Sequence, residues 1–94
     1  MDLELVGKNV VVTGGSRGIG FAIAKAFAEE GANVSICARS THPLTAAETA
    51  LKEYGTTVHS TICDVSDPVA LDDYVHAAHE ALGGLNVLVN NPSG

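Results

Sequence analysis

Apolar and polar positions run along this chain in blocks whose period changes. Val10-Val11-Val12 is a short unbroken apolar run, the pattern of a strand covered on both faces. Ile19, Ala22, Ile23, Ala26 and Phe27 follow at i, i+3, i+4, i+7 and i+8, which is a helical stripe. The same switch recurs, so we expect strands over residues 9–13, 33–38, 57–63 and 86–90, with a helix in each interval. The first helix spans 18–30, with Lys25, Glu29 and Glu30 on its wet face and Gly31 as its stop. The second follows Ser40-Thr41-His42-Pro43. It starts either at Pro43, as a first helical residue, or at a capping box of Thr45 and Glu48. Its inner stripe reads Leu44, Ala47, Leu51 and Tyr54, and Gly55 ends it. The third begins after Asp67-Pro68, a cap followed by a proline, turns Leu71, Val75, Ala78 and Leu82 inward, and stops at Gly83-Gly84.

Strands separated by helices imply a parallel sheet joined by right-handed crossovers. The expected fold class is α/β, the N-terminal half of a Rossmann-like doubly wound sheet with strand order 3-2-1-4. The first two helices then cover one face and the third crosses to the other. The C-terminal strand ends would gather Gly14 to Gly20, Arg39, Asp64 and Asn90 on one edge, with the ligand crevice between strands 1 and 4.

Composition narrows this picture. Ninety-four residues make at most one small domain, and 46% hydrophobic residues suffice for a core. A net charge of −6 argues against nucleic acid or an anionic membrane as partner. The acidic start, Met1 to Leu5, lacks the order of a secretory signal, and no apolar run approaches membrane-spanning length. Cys37 and Cys63 form no Cys-x-x-Cys pair and read as buried thiols of a cytoplasmic protein, close together if their strands are neighbours.

The candidate chemistry lies in Thr13-Gly14-Gly15-Ser16-Arg17-Gly18-Ile19-Gly20. A glycine-rich turn from strand to helix suits a phosphate: helix-start amides are unpaired, the helix dipole adds positive charge, and glycine lets a ligand approach the backbone. We therefore expect a nucleotide cofactor over Gly14, Ser16, Arg17, Gly18, Ile19 and Gly20. The spacing is Gly-x-x-x-Gly-x-Gly rather than the commoner Gly-x-Gly-x-x-Gly. An enzyme selecting NAD has an acidic residue at the end of strand 2 to bond the ribose hydroxyls. Here Ala38 stands at that position and Arg39 follows, able to pair with a 2′-phosphate, so NADP is expected over NAD.

That turn, with Cys63-Asp64-Val65-Ser66-Asp67 and Leu88-Val89-Asn90-Asn91-Pro92-Ser93-Gly94, resembles the N-terminal part of the short-chain dehydrogenase/reductase family, from about Leu5 to Gly94. The resemblance implies an NADP-dependent oxidoreductase passing hydride to or from a carbonyl or alcohol. It makes Gly14, Gly18 and Gly20 the cofactor-loop glycines and Arg17 a second basic residue of NADP-preferring members. It implies that Asp64 contacts the adenine amino group with Val65 beside the ring, and that Asn90 lies near the cofactor ribose. Family members act on small molecules and are commonly homo-oligomers through later helices.

The family's catalytic Tyr-x-x-x-Lys pair does not occur here: Val58 stands four residues after Tyr54, and Ala78 four after Tyr74. Strand 4 would also be an apolar edge. We therefore expect residues 1–94 to be a partial cofactor-binding domain of a longer reductase, marginally stable or self-associating by itself and without chemistry of its own. Two departures matter. Asn90-Asn91-Pro92-Ser93-Gly94 replaces the usual Asn-Asn-Ala-Gly, and its longer loop also resembles the dienoyl-CoA and enoyl-CoA reductase branch. Asn86 stands where aspartate is frequent, which puts that residue's usual hydrogen bonds in question. A non-catalytic nucleotide-binding remnant is the other reading. His76 and His79, with Asp72, Asp73 and Glu80, cluster at helical spacing on the third helix and read as an exposed acidic face rather than a metal site. His42 and His59 have no partner evident in sequence.

Overall fold

The computed structural model describes residues 5–14 and 18–90. Elements alternate as the pattern requires: β1 (Asn9–Val12), α1 (Gly18–Glu29), β2 (Asn33–Ala38), α2 (Thr41–Lys52), β3 (Val58–Ile62), α3 (Pro68–Leu82) and β4 (Val87–Val89). All pairings are parallel and the strand order is β3-β2-β1-β4, as expected. β2 has the expected bounds and the other three strands are shorter than expected by one or two residues, yet their flanks stay tied in. The Thr13 amide still donates to the Val89 carbonyl (3.0 Å), and the Cys63 amide to that of Ala38 (2.9 Å).

Each strand divides its side chains between two cores. Val10, Val12, Val34 and Ile36 meet α1 and α2. Val11, Cys37 and Cys63 face the other way, under Tyr74 and Ala78 of α3. The two faces are therefore covered as expected, α1 and α2 on one and α3 on the other. The two thiols share a hydrogen bond beneath α3, and burial pushes the Cys37 thiol up to about 11.

Three expectations change. In α1 the buried residues are Gly20, Ala24 and Ala28, while Ile19 is 72% exposed and Ala22 and Ala26 are exposed. Small residues at i, i+4 and i+8 let the helix axis approach the sheet, and Ile23 and Phe27 pack beside that seam. In α2 neither proposed start holds. The helix begins at Thr41 after Ser40, whose side chain makes no capping bond, and Thr45 donates back to the Thr41 carbonyl (3.0 Å). Pro43 is tolerated because amides of the first turn have no intrahelical partner. The helix ends at Lys52, so Tyr54 lies beyond it, 38% exposed. In α3 the cap is as expected: Asp67 accepts from the amides of Val69 (3.0 Å) and Ala70 (3.3 Å), and Gly83 closes the helix in the left-handed region. Its anchor, however, is Tyr74, 2% exposed, with Leu71, Val75 and Leu82 only partly buried around it.

Asparagines close the far edge of the sheet. Asn86 Oδ1 accepts the Asn9 amide (2.8 Å), Asn9 Oδ1 accepts from Asn33 Nδ2 (3.0 Å), and Asn33 Oδ1 accepts the Thr57 amide (3.0 Å). Asn86 thus keeps an acceptor oxygen on the β1 backbone, and the absence of a carboxylate there leaves that bond in place.

Candidate cofactor site at the C-terminal edge of the sheet

Parallel strands deliver every strand-to-helix turn to one edge, and that edge collects the candidate residues. Gly14 follows β1 with φ +68°, and Gly18 opens α1 with φ +63°. A Cβ at Gly18 would meet no atom of the described residues within 4 Å. Ile19 stands exposed beside it and Gly20 is buried against the sheet. Ser16 and Arg17 lie outside the described residues, as do Asn91, Pro92, Ser93 and Gly94.

Arg39 is exposed immediately after β2, and the exposed Ser40 hydroxyl beside it is not spent on capping α2. Asp64 follows β3. Its Oδ1 accepts from the Ser66 hydroxyl (2.7 Å) and amide (3.0 Å), which hold its carboxyl below the usual range, with a smaller pull from the Arg39 charge. Arg39 and Asp64 therefore share one electrostatic neighbourhood across the β2 and β3 ends. Val65 next to Asp64 is half-buried in the α3 core.

Across the crevice, Thr13 Oγ1 reaches Asn90 Oδ1 (3.2 Å) and the Val89 carbonyl (3.4 Å), which ties the ends of β1 and β4. Under the loop, the Gly14 amide donates to the Cys37 sulfur. The sequence reading left Thr13 and Ser40 out of the site. Thr13 borders the first loop glycine and Ser40 follows the candidate 2′-phosphate arginine, so adjacency was the available signal. The acidic and histidine residues of α3 make one contact pair, His76 with Asp72 (3.4 Å), both exposed, and the described residues contain no cluster of three or more metal-binding side chains.

An open glycine backbone at a helix start, a basic residue at the next strand end and a carboxylate at the third lie together on the edge where a Rossmann half presents its strand-to-helix turns. A family model described as short chain dehydrogenase matches residues 8–94, and the chain belongs to that family. L-rhamnose 1-dehydrogenase (NADP(+)) of Thermoplasma acidophilum is 42% identical over 91 residues, covering 95% of this chain and 35% of that protein. The crystal structure of L-sorbose reductase from Gluconobacter frateurii, complexed with NADPH and L-sorbose, superposes with a TM-score of 0.90 at 42% identity, covering 97% of this chain and 35% of that one. An NAD+-bound xylitol dehydrogenase superposes at 0.86 with 30% identity, covering 90% and 33%. The chain spans about a third of the length of such curated relatives. Among the described residues no helix is long and apolar enough to cross a membrane.

Proposed function

We propose that this chain binds NADP(H), in preference to NAD(H), as the cofactor-holding part of a reductase or dehydrogenase that interconverts a small carbonyl compound and its alcohol. The observation that carries the reading is the edge itself. Open left-handed backbone at Gly18, the uncapped Ser40 beside Arg39, the Asp64 carboxylate and the Thr13–Asn90 tie all lie on one side of a four-stranded sheet.

These residues fit a nicotinamide dinucleotide. Gly14, Gly18, Ile19 and Gly20, with Ser16 and Arg17, would take the pyrophosphate at the α1 start, where a Cβ at Gly18 would intrude. Arg39 would pair with the 2′-phosphate, and Ser40 would add a donor; no carboxylate stands at Ala38 to repel it. Asp64, ionised over most of the pH range, would accept from the adenine amino group, with Val65 against the ring. Asn90, oriented by Thr13, would meet the nicotinamide ribose. When bound, the cofactor supplies the hydride acceptor or donor. This chain positions it, and the proton-transferring tyrosine and lysine of the family would come from sequence beyond these residues.

Two relatives whose printed names include a phosphorylated cofactor support NADP, and the NAD+-bound neighbour shows that the fold alone does not decide. The test is a titration with NADPH and NADH in the native protein and in Arg39→Ala. The native protein should bind NADPH at least about tenfold more tightly, the worth of one charge-assisted contact, and the variant should lose that margin. An unchanged ratio in the variant removes Arg39 from the reading.

A further inference from the structure

The face of the sheet under α3 carries a polar chain that cofactor binding does not use. Ser35 points from the middle of β2 into that core with no exposed surface. Its Oγ lies 2.8 Å from His59 Nδ1, on the adjacent β3 position, and 2.7 Å from the Tyr74 hydroxyl of α3. The His59 and Tyr74 rings stack, with centroids 6.2 Å apart and planes 13° apart. Tyr74 is the largest fully buried side chain of the molecule's described part and the anchor of α3. His59 is half-buried, and Tyr74 lines a cleft of about 340 Å³ together with Thr61, Ile62, Ala70, Asp73 and Ala77.

Two hydrogen bonds join these three groups, and the protons available decide whether both hydroxyls are satisfied. With His59 neutral and protonated at Nε2, the Tyr74 hydroxyl donates to Ser35 and Ser35 donates to Nδ1, so each hydroxyl proton has an acceptor. With His59 protonated on both nitrogens, Nδ1–H donates to Ser35, and whichever way the Ser35–Tyr74 bond then runs, one of the two hydroxyl protons has no acceptor within the chain. We propose that the Ser35–His59–Tyr74 chain is a proton-operated latch: it holds α3, and with it the Asp64-Val65 turn, to the sheet at neutral pH and lets go on acidification.

The surroundings allow this response. Burial lowers the His59 proton affinity, and Glu48 of α2 pulls the other way. Glu48 is itself engaged by Lys52 (3.1 Å) and the Ser60 hydroxyl (2.8 Å). His59 itself meets Ser35 of β2 and the Tyr74 ring of α3; the buried Cys37 and Cys63 thiols act on Tyr74, and the exposed Asp73 shares the cleft that Tyr74 lines. The sign follows. A histidine harder to protonate folded than unfolded contributes stability that is full above its unfolded pKa, about 6.5, and is lost as the pH falls below it. The latch does not depend on which nucleotide binds, since Ser35, His59 and Tyr74 are not themselves among the proposed cofactor contacts.

The test is amide hydrogen exchange, corrected for intrinsic rates, in α3 at about pH 7.5 and about pH 5.5, either side of an ordinary histidine pKa. Protection of α3 should fall by about tenfold in the native protein relative to α1 and α2, and should be flat in His59→Phe, which keeps the stacked ring without the proton. No selective fall, or the same fall in His59→Phe, overturns the latch. A second reading needs no variant: imidazole nitrogen shifts of native His59 at about pH 7.5 should show Nδ1 bare and Nε2 protonated. Nδ1 already carrying the proton at that pH would overturn it as well.

Discussion

Two glycines with similar backbones separate the binding role of the loop from its folding role. Gly18 has φ +63° and Gly31 has φ +91°, both in the region that an L-residue enters at about 1–2 kcal/mol. Alanine at either position therefore destabilises by at least that amount. Their surroundings differ. A Cβ at Gly31 would lie 3.1 Å from Val6 Cγ2, so that side chain must give by a few tenths of an ångström, while Val6 Cα at 3.4 Å stays in ordinary contact. Gly31→Ala should therefore cost up to about 1 kcal/mol more than Gly18→Ala, the lower end of an overpacking penalty. For a domain of this size each kcal/mol moves the melting midpoint by about 4–8 °C. At Gly18 the new methyl meets no atom of the described residues and enters the space proposed for the cofactor. Gly18→Ala should weaken NADPH binding by about tenfold or more, or about 1.4 kcal/mol, whereas Gly31→Ala should keep the native affinity below its melting range. Thermal unfolding and NADPH fluorescence titration on the two variants give both numbers. Native affinity in Gly18→Ala, or equal binding losses in the two, would refute the assignment of that space.

Other expectations follow from single contacts. Asp67→Ala removes the acceptor for two first-turn amides of α3 and should lower stability by about 0.5–2 kcal/mol in urea unfolding; a change within a few tenths would mean the cap is dispensable. Thr13→Val keeps the buried shape and removes the tie to Asn90, so stability should change by no more than about 1 kcal/mol while NADPH affinity falls severalfold. Unchanged affinity would mean that Asn90 orients itself. Ser40→Ala should cost NADPH affinity and leave NADH affinity and the melting midpoint unmoved, because its hydroxyl does not cap α2. A drop in the midpoint without loss of NADPH selectivity would make it a structural serine.

The architecture was legible where the pattern admitted one reading. Val10-Val11-Val12 is too short and too apolar to be anything but an inner strand, and the alternation with helices leaves little choice but a parallel sheet in the order β3-β2-β1-β4. The inner face of α1 was not legible. Phe21, Ala22, Ile23, Ala24, Ala26, Phe27 and Ala28 are apolar nearly all round the helix, and close approach to the sheet selects small residues among them, which a hydrophobicity pattern does not rank. Tyr74 was hidden for a different reason. It sits among Asp72, Asp73 and His76, and its burial depends on Ser35 and His59, each on another strand. Tyr54 failed the other way: it fits the α2 stripe, yet the helix stops at Lys52 before reaching it. At the candidate site, single residues at strand ends were readable from the turn chemistry. The tie between strand ends, Thr13 to Asn90, needed the register.

The most direct test of the central claim is to map amide chemical shifts of the native protein as NADPH is added. The account predicts changes concentrated at Gly14, Gly18 to Gly20, Arg39 and Ser40, Asp64 and Val65, and Asn90, with the opposite edge at Asn9, Asn33 and Asn86 unmoved. No change at the glycine turn, or a footprint centred on the α3 cleft instead, would contradict it.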